Sequence, residues 1–127
     1  MSTPSDPAAI ALVEDATLDF ALGDHGPAIA KLNQALEIDG TCFEAWLAMA
    51  EVYFADRKLE SALSAAENAR MIRPGDIHAN TSLSRIWMEK GDKPKAEHFG
   101  AQARMLNWKE ELKTPPPVPG APKSELE

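Results

Sequence analysis

The sequence predicts an all-α protein built from repeated helical hairpins, and three observations carry that prediction. The 127-residue chain is 44% hydrophobic but only 6% aromatic. Alanine supplies much of the hydrophobic content and β-branched runs are almost absent, which favours helix over strand. Apolar residues recur at spacings of three and four, as on one face of a helix. Glycine and proline interrupt this pattern at regular intervals and so separate one helix from the next.

The segment from Phe43 to Pro74 shows the hairpin most clearly. Large residues come first on one helical face: Trp46, Met49, Ala50 and Tyr53. After a break near residues 56–58, small residues line the next face: Ala62, Ala66 and Ala69. Because only methyl groups line the second stripe, the sequence predicts two closely packed helices.

This spacing resembles the tetratricopeptide repeat (TPR), a unit of about 34 residues with W-x2-L-G-x2-Y and later alanine and proline at set offsets. Adding 34 to the central unit aligns residues 69–71 with residues 103–105, which read Ala-Arg-Met in both places. Subtracting 34 places Ala28, Leu32 and Ala35 in the second-helix positions. The resemblance implies a stack of three TPR units, six helices in a right-handed superhelix, at about residues 9–42, 43–76 and 77–110.

The first helix of the first repeat departs from the TPR pattern. The 34-residue register puts Asp15 and Asp19 where the family has Leu and Tyr. Burying two unpaired carboxylates would cost several kcal/mol. A one-residue shift would instead present an inward face made of Val13, Ala16, Thr17 and Phe20. We therefore expect either this shift or a rotated first helix.

The two ends of the repeat domain, residues 7–113, carry helix signals of their own. Residues 1–6 are polar and expected to be disordered, but Asp6 followed by Pro7 is typical of an N-cap and first helical residue. In the third repeat, Trp108 replaces the terminating Pro74 of the second. We therefore expect the last helix to continue to about Leu112 and to cover the open apolar end of the stack.

Residues 114–127 form a separate segment by composition. Four of the five residues from 115 to 119 are proline, which forbids helix and favours polyproline II. We expect a disordered Pro-rich tail. Its two PxxP motifs indicate either a spacer or a ligand for a partner domain.

Composition also bounds location and partners. A net charge of −7 argues against nucleic-acid binding, which needs a basic face. No apolar run approaches the roughly 18–20 residues that span a bilayer, so no direct membrane insertion is expected. The N-terminal stretch lacks the basic region of a secretory signal. A single cysteine, Cys42, excludes an intramolecular disulfide, so a cytoplasmic location is expected.

Nothing in the sequence predicts catalysis. His25, His78 and His98 fall on different hairpins, and Cys42 lies at a repeat junction, where a small packing residue is expected. Metal-ligand pairs, glycine-rich phosphate loops and nucleophile elbows are missing from the sequence. We expect a non-enzyme without metal or cofactor.

The TPR resemblance implies a binding surface, because the first helices of TPR hairpins line a concave groove. Carried over by position, the groove residues are Val13, Thr17, Phe20, Glu44, Leu47, Glu51, Phe54, His78, Thr81, Arg85 and Met88. Such an apolar groove suits an amphipathic helix or an extended apolar peptide. Phe20 and Phe54 either line the groove or pack against neighbouring helices.

One TPR subtype is not expected. TPR domains that hold the terminal carboxylate of heat-shock chaperones use Lys, Asn and Arg at five positions. Here those positions carry Val13, Thr17, Ala48, His78 and Ser82. None of the five matches, so a terminal carboxylate would be poorly held.

The expected function is a non-catalytic protein-interaction module that binds a partner peptide or helix, as an adaptor or accessory subunit of a larger complex. Two alternatives stay open, namely a dedicated chaperone of a secretion or assembly system and a scaffold that self-assembles head to tail. For the scaffold, the charge runs from −5 (one base, six acids) in residues 9–42, through −2 in residues 43–76, to +2 (six bases, four acids) in residues 77–110. This gradient indicates either solvated outer faces or a homo-oligomer whose basic end meets an acidic end.

Overall fold

The computed structural model describes residues 4–113, and within them the chain is all-α, as predicted. Its helices in order are α1 (Pro7–Ala21), α2 (His25–Ile38), α3 (Phe43–Ala55), α4 (Leu59–Ile72), α5 (Ile77–Glu89) and α6 (Lys93–Lys113). Consecutive helices pair into three hairpins, α1 with α2, α3 with α4 and α5 with α6, and each hairpin packs against the next. The predicted Pro-rich tail and residues 1–3 lie outside the described residues.

The 34-residue register holds from the first repeat onward. Helices α1, α3 and α5 end at residues 21, 55 and 89, and helices α2, α4 and α6 begin at residues 25, 59 and 93. The one-residue shift expected for the first helix is therefore wrong. The apolar residues expected to face inward nevertheless do so, since Val13 and Ala16 are buried and Phe20 packs on the core, while Thr17 is exposed.

The two carboxylates that prompted the expected shift avoid unpaired burial in different ways. Asp15 is exposed, because no hairpin packs against its side of α1 among residues 4–113. Asp19 forms an ion pair with Lys31 of α2, with 2.8 Å between Asp19 Oδ2 and Lys31 Nζ. The hydrogen bond to Asp19 raises the pKa of Lys31. The first hairpin thus keeps the repeat register without an unpaired buried charge.

Local signals explain the helix ends. The Asp6 carboxylate accepts a hydrogen bond from the Ala8 N–H at 2.8 Å, which confirms the predicted N-cap of α1. Each turn within a hairpin contains one residue with positive φ at the same repeat position: Gly23 (+88°), Arg57 (+61°) and Gly91 (+86°). The middle hairpin therefore holds an arginine in a left-handed conformation that glycine adopts without strain.

The second helices of the first two hairpins bury the predicted positions, which are all alanine except Leu32. Ala28, Leu32 and Ala35 of α2 are fully buried, and α4 buries its equivalents: Ala62, Ala66 and Ala69. Cys42 is buried between hairpins, which confirms its expected packing role. Trp46 and Tyr53 are only half-buried, and the Trp46 indole N–H donates to the Gly40 carbonyl at 3.0 Å.

The extended last helix does not cover the end of the stack. Helix α6 reaches Lys113, which confirms the predicted extension. However, Trp108 and Leu112 are exposed, and the buried residues of α6 are Ala96 and Ala103, before the extension. The expected cap is wrong because Trp108 and Leu112, four residues apart, lie on the side of the helix that faces away from α5.

Candidate functional site: a groove along α1, α3 and α5

All eleven residues implied by the resemblance lie along one surface formed by α1, α3 and α5, which we call the groove. They line three cavities that share residues, so that one cavity continues into the next. Leu47 and Glu51 border the first two cavities, and Arg85 borders the second and third. The repeat register explains this alignment, because each hairpin presents the same helical positions to the same side.

The first cavity lies between α1 and α3 and has a volume of about 330 Å³. Its lining is mostly apolar: Val13, Ala16, Phe20, Leu32, Leu47, Ala48 and Val52, with the Thr17 side chain beside them. Two carboxylates, those of Glu44 and Glu51, complete the lining. This cavity can hold an apolar side chain and offers hydrogen-bond acceptors next to it.

The second cavity, of about 270 Å³ between α3 and α5, is polar. There Glu51 is held by α5, since Ser82 Oγ donates to Glu51 Oε2 at 2.9 Å and Arg85 Nη1 lies 3.4 Å from Glu51 Oε1. His78 and Thr81 complete the residues predicted for this stretch. Glu51 therefore has a fixed orientation at the boundary between the apolar and polar parts of the groove.

The third cavity shows that Phe54 lines the groove and also packs against the core. Phe54, Arg85 and Met88 border this space of about 410 Å³. The Arg85 guanidinium lies over the Phe54 ring, 4.6 Å from its centroid, while the ring also packs against the core. Phe54 thus does both, and Arg85 covers one of its faces by a cation–π contact.

The chain's N-terminal residues brace the acidic edge of the groove. Ser5 Oγ donates to Glu44 Oε1 at 2.7 Å, and Arg73 Nη2 lies 3.4 Å from Glu44 Oε2. Partial burial raises the pKa of Glu44, but the Ser5 hydrogen bond and the Arg73 charge outweigh burial, so that the pKa is lowered. Glu44 is therefore ionised at neutral pH.

Asp39 holds the next residue of the same N-terminal segment. Its carboxylate accepts the Asp6 backbone N–H at 3.0 Å and two hydrogen bonds from Thr41. The Asp6 N–H, followed by Thr41, lowers the pKa of Asp39. Sequence reasoning missed this brace, because nothing in a short polar N-terminus signals which loop it will meet.

The structure does not assemble the scattered histidines. His25 pairs with Asp56 at 2.5 Å, His78 lies in the groove, and His98 packs against Phe99. Among residues 4–113 no group of three or more His, Cys, Asp or Glu side chains is arranged to hold a metal ion. In the same range, every helix is too short or too polar to cross a membrane.

The comparisons with known proteins agree on the fold. No protein-family model matches the chain. A curated relative, the tetratricopeptide repeat and J domain-containing co-chaperone DNJ1 of Cryptococcus neoformans, is 28% identical over 95 residues, which are 75% of this chain and 18% of the relative. The chain therefore spans less than a fifth of that protein.

Two solved structures show the similarity in three dimensions. The crystal structure of MamA matches with a TM-score of 0.78 and 23% identity over 83% of this chain and 61% of MamA. The second TPR of Spaghetti (RPAP3), bound to the HSP90 peptide SRMEEVD, matches with a TM-score of 0.76 and 18% identity over 79% of this chain and 93% of that one. The predicted TPR fold is confirmed.

Proposed function

We propose that this chain, whose three hairpins have the TPR fold, is a non-catalytic interaction module that binds a short segment of a partner protein in its groove. In this role it serves as an adaptor or an accessory subunit of a larger complex. The observation that carries the proposal is the cavity between α1 and α3, where an apolar lining is open to a ligand and two carboxylates stand beside it. The half-buried Phe20, Leu47 and Ala48 that line this cavity, and the peptide-bound RPAP3 domain of the same fold, support the proposal.

The chemistry of the groove specifies the kind of segment. Val13, Leu47 and their apolar neighbours would take an aliphatic or aromatic side chain, as helix-in-groove recognition does. Glu44 and Glu51 would pair with Lys or Arg side chains beside it, because complementary charge sets register and partner choice. The expected ligand is an amphipathic helix or extended peptide with bulky apolar residues flanked by basic ones.

An acidic peptide such as SRMEEVD, which the RPAP3 domain binds, does not suit this groove. At the positions that hold a carboxylate in chaperone-binding TPR domains, Val13 and Ser82 are buried and Ala48 is half-buried. The nearest groove cation, Arg85, is already engaged by Glu51 and Phe54. Glu44 and Glu51 would repel the peptide's carboxylates.

A peptide-binding titration tests the proposal. Three fluorescein-labelled peptides are compared by fluorescence polarisation. Two are amphipathic helices of roughly 14 residues, about four turns, with the same apolar Leu/Trp stripe; the Lys probe has lysines beside the stripe and the Glu probe has glutamates there. The third is SRMEEVD. The Lys probe should bind at least about tenfold more tightly than the Glu probe, a difference of about 1.4 kcal/mol. SRMEEVD should not bind.

Matched variants locate the binding. Leu47→Asp with Phe54→Asp should abolish binding of the Lys probe, whereas Met71→Asp, at an exposed position of α4 outside the groove, should not. Glu44→Gln with Glu51→Gln should remove the preference for Lys over Glu flanks. Absence of binding by both helical probes, or equal loss with Met71→Asp, would contradict the proposal.

A dedicated chaperone remains a second candidate, because the same apolar groove would hold an unfolded client segment. The solubility of the full-length partner distinguishes the two roles. A chaperone should keep its full-length client soluble in stoichiometric complex, and the Leu47→Asp, Phe54→Asp variant should let that client aggregate. An adaptor leaves the solubility of its partner unchanged.

A further inference from the structure

We infer that the outer face of α1 is a docking surface for the third hairpin of a second copy, so that chains stack head to tail. This outer face consists of Ala11, Asp15 and Leu18 of α1 and of Leu22, the C-cap residue that follows it, at spacings of four, three and four. All four residues are exposed. The inference concerns the end of the stack and goes beyond peptide binding in the groove.

The internal repeat shows what these positions do when a hairpin precedes them. Leu18 is 59% exposed, whereas its equivalents Val52 and Ile86 are 2% and 1% exposed. Ala11 is exposed too, while the equivalent Ala45 and Ala79 are fully buried in α3 and α5. The first hairpin therefore carries the apolar residues of an interior repeat at a place that no hairpin covers within residues 4–113.

At the opposite end of the stack, residues of the third hairpin are exposed where their equivalents in the second hairpin contact a following hairpin. Arg85 of the third hairpin covers the Phe54 ring of the second, yet Met88, the equivalent of Phe54, is 51% exposed. Arg70 reaches the following hairpin, with its guanidinium 5.3 Å from the Phe99 centroid, while its equivalent Arg104 is exposed. By repeat equivalence, Met88 and Arg104 mark the surface that the third hairpin would present to a following hairpin.

The opposite net charges of the first and third repeats favour a second copy of this chain as the partner of the outer face. The junctions inside the chain are crossed by ion pairs, such as Arg57 with Glu89 at 2.6 Å and Lys90 with Glu60. Asp15 stands where Met49 and Leu83 are buried, so covering it requires a cation. The third repeat has a net charge of +2 against −5 for the first. Opposite charges steer such ends together.

The contact is heterologous, because two different surfaces meet, and it can extend into a filament. A single hairpin face is small for a specific interface, so we expect association that rises with protein concentration. Because Asp15 needs a cationic partner in the covered state, association should weaken as salt screens the pair.

Sedimentation velocity of the full chain tests the inference. The wild-type weight-average sedimentation coefficient should rise with concentration at low salt and fall when salt is added. A head variant, Leu18→Glu with Leu22→Glu, should be monomeric, and so should a tail variant, Met88→Glu with Arg104→Glu. Leu47→Asp in the groove should associate like wild type.

Mixing the two monomeric variants gives the decisive result. The head variant keeps an intact third hairpin and the tail variant keeps an intact α1, so their mixture should form a one-to-one dimer and nothing larger. A wild-type chain that stays monomeric at every concentration would overturn the inference. So would variants that associate like wild type, or a mixture that remains monomeric while wild type associates.

Discussion

At the scale of single residues, burial depends on place in the stack as much as on residue type. Leu18, Val52 and Ile86 occupy one repeat position, but only the latter two have a hairpin in front of them. Asp15 and Asp19 illustrate the same point for charged residues, since one is exposed and the other is paired with Lys31. The sequence pattern identifies the repeat position of a residue but does not show which side chains will pack against it.

This difference in burial predicts that alanine substitutions at equivalent positions reduce the free energy of unfolding by unequal amounts. Ile86→Ala should reduce the free energy of unfolding by about 2–5 kcal/mol, because it leaves a cavity in a closed core. Leu18→Ala should change it by no more than about 0.5 kcal/mol at protein concentrations where the chain is monomeric. Urea denaturation followed by circular dichroism measures both. Equal losses would show that α1 is buried in a way the structure does not contain.

Two residues that brace the N-terminal segment predict a dependence on pH. Asp39 and Glu44 have pKa values lowered by folding, so their ionised forms stabilise the protein above the unfolded-state value of about 4. That contribution is lost as pH falls through the lower folded value. The thermal midpoint should therefore drop on acidification from about pH 5 to about pH 3.

The matched variant for this effect is Asp39→Asn with Glu44→Gln. It should be less stable than wild type near neutral pH and should show a flatter decline on acidification, because the two linked groups are gone. An unchanged slope of thermal midpoint against pH would mean that other carboxylates dominate acid denaturation.

At the scale of helices, α5 and α6 approach each other closely at Gly100. A Cβ atom added at Gly100 would lie 3.1 Å from Ser84 Oγ, which itself donates to the Ala96 carbonyl at 2.7 Å. The side chain at this place must be small for the hairpin to close. The repeat equivalents in the other two hairpins, Ala66 and Leu32, are larger and fully buried.

Gly100→Leu should therefore destabilise the chain by about 1–3 kcal/mol through overpacking. Ala101→Leu, one residue along on the exposed side of α6, is the control and should be nearly neutral. Chemical denaturation of the two variants makes the comparison. A neutral Gly100→Leu would show that α5 and α6 can separate without loss.

The last two turns of α6 give a further prediction. Trp108 and Leu112 are exposed, so a chain that ends at Asn107 should keep its free energy of unfolding within about 1 kcal/mol of the full chain. Thermal unfolding by circular dichroism measures the difference. A larger loss would mean that the extension covers core residues after all.

Sequence reasoning predicted these elements better than it predicted their surroundings. Helix ends followed from Asp6-Pro7 and Gly23, and the length of α6 followed from Trp108 in place of a terminating proline. The expected covering by α6 failed, because a helix can be extended without turning its apolar stripe inward. The break near residues 56–58 was predicted and is the turn between α3 and α4. The left-handed conformation of Arg57, with a φ of +61°, was not predicted, because an arginine gives no sequence signal for it.

At the scale of the whole molecule, the groove results from the 34-residue repeat. The same helix positions of α1, α3 and α5 meet on one side, so a register read from sequence was enough to collect all eleven groove residues. The braces at Glu44 and Glu51 could not be predicted in this way, because Ser5, Ser82 and Arg85 reach them from other hairpins or from the N-terminal segment.

Under the proposed function, the groove binds an apolar segment with basic flanks. The most direct measurement is a titration of the 15N-labelled chain with the Lys-flanked helical probe, followed by backbone amide chemical shifts. The claim predicts the largest changes at Val13, Thr17, Leu47 and Glu51, with Met71 and Met105 unmoved. Changes centred on Met71, Met105 or the α6 extension, or no saturable changes at all, would contradict it.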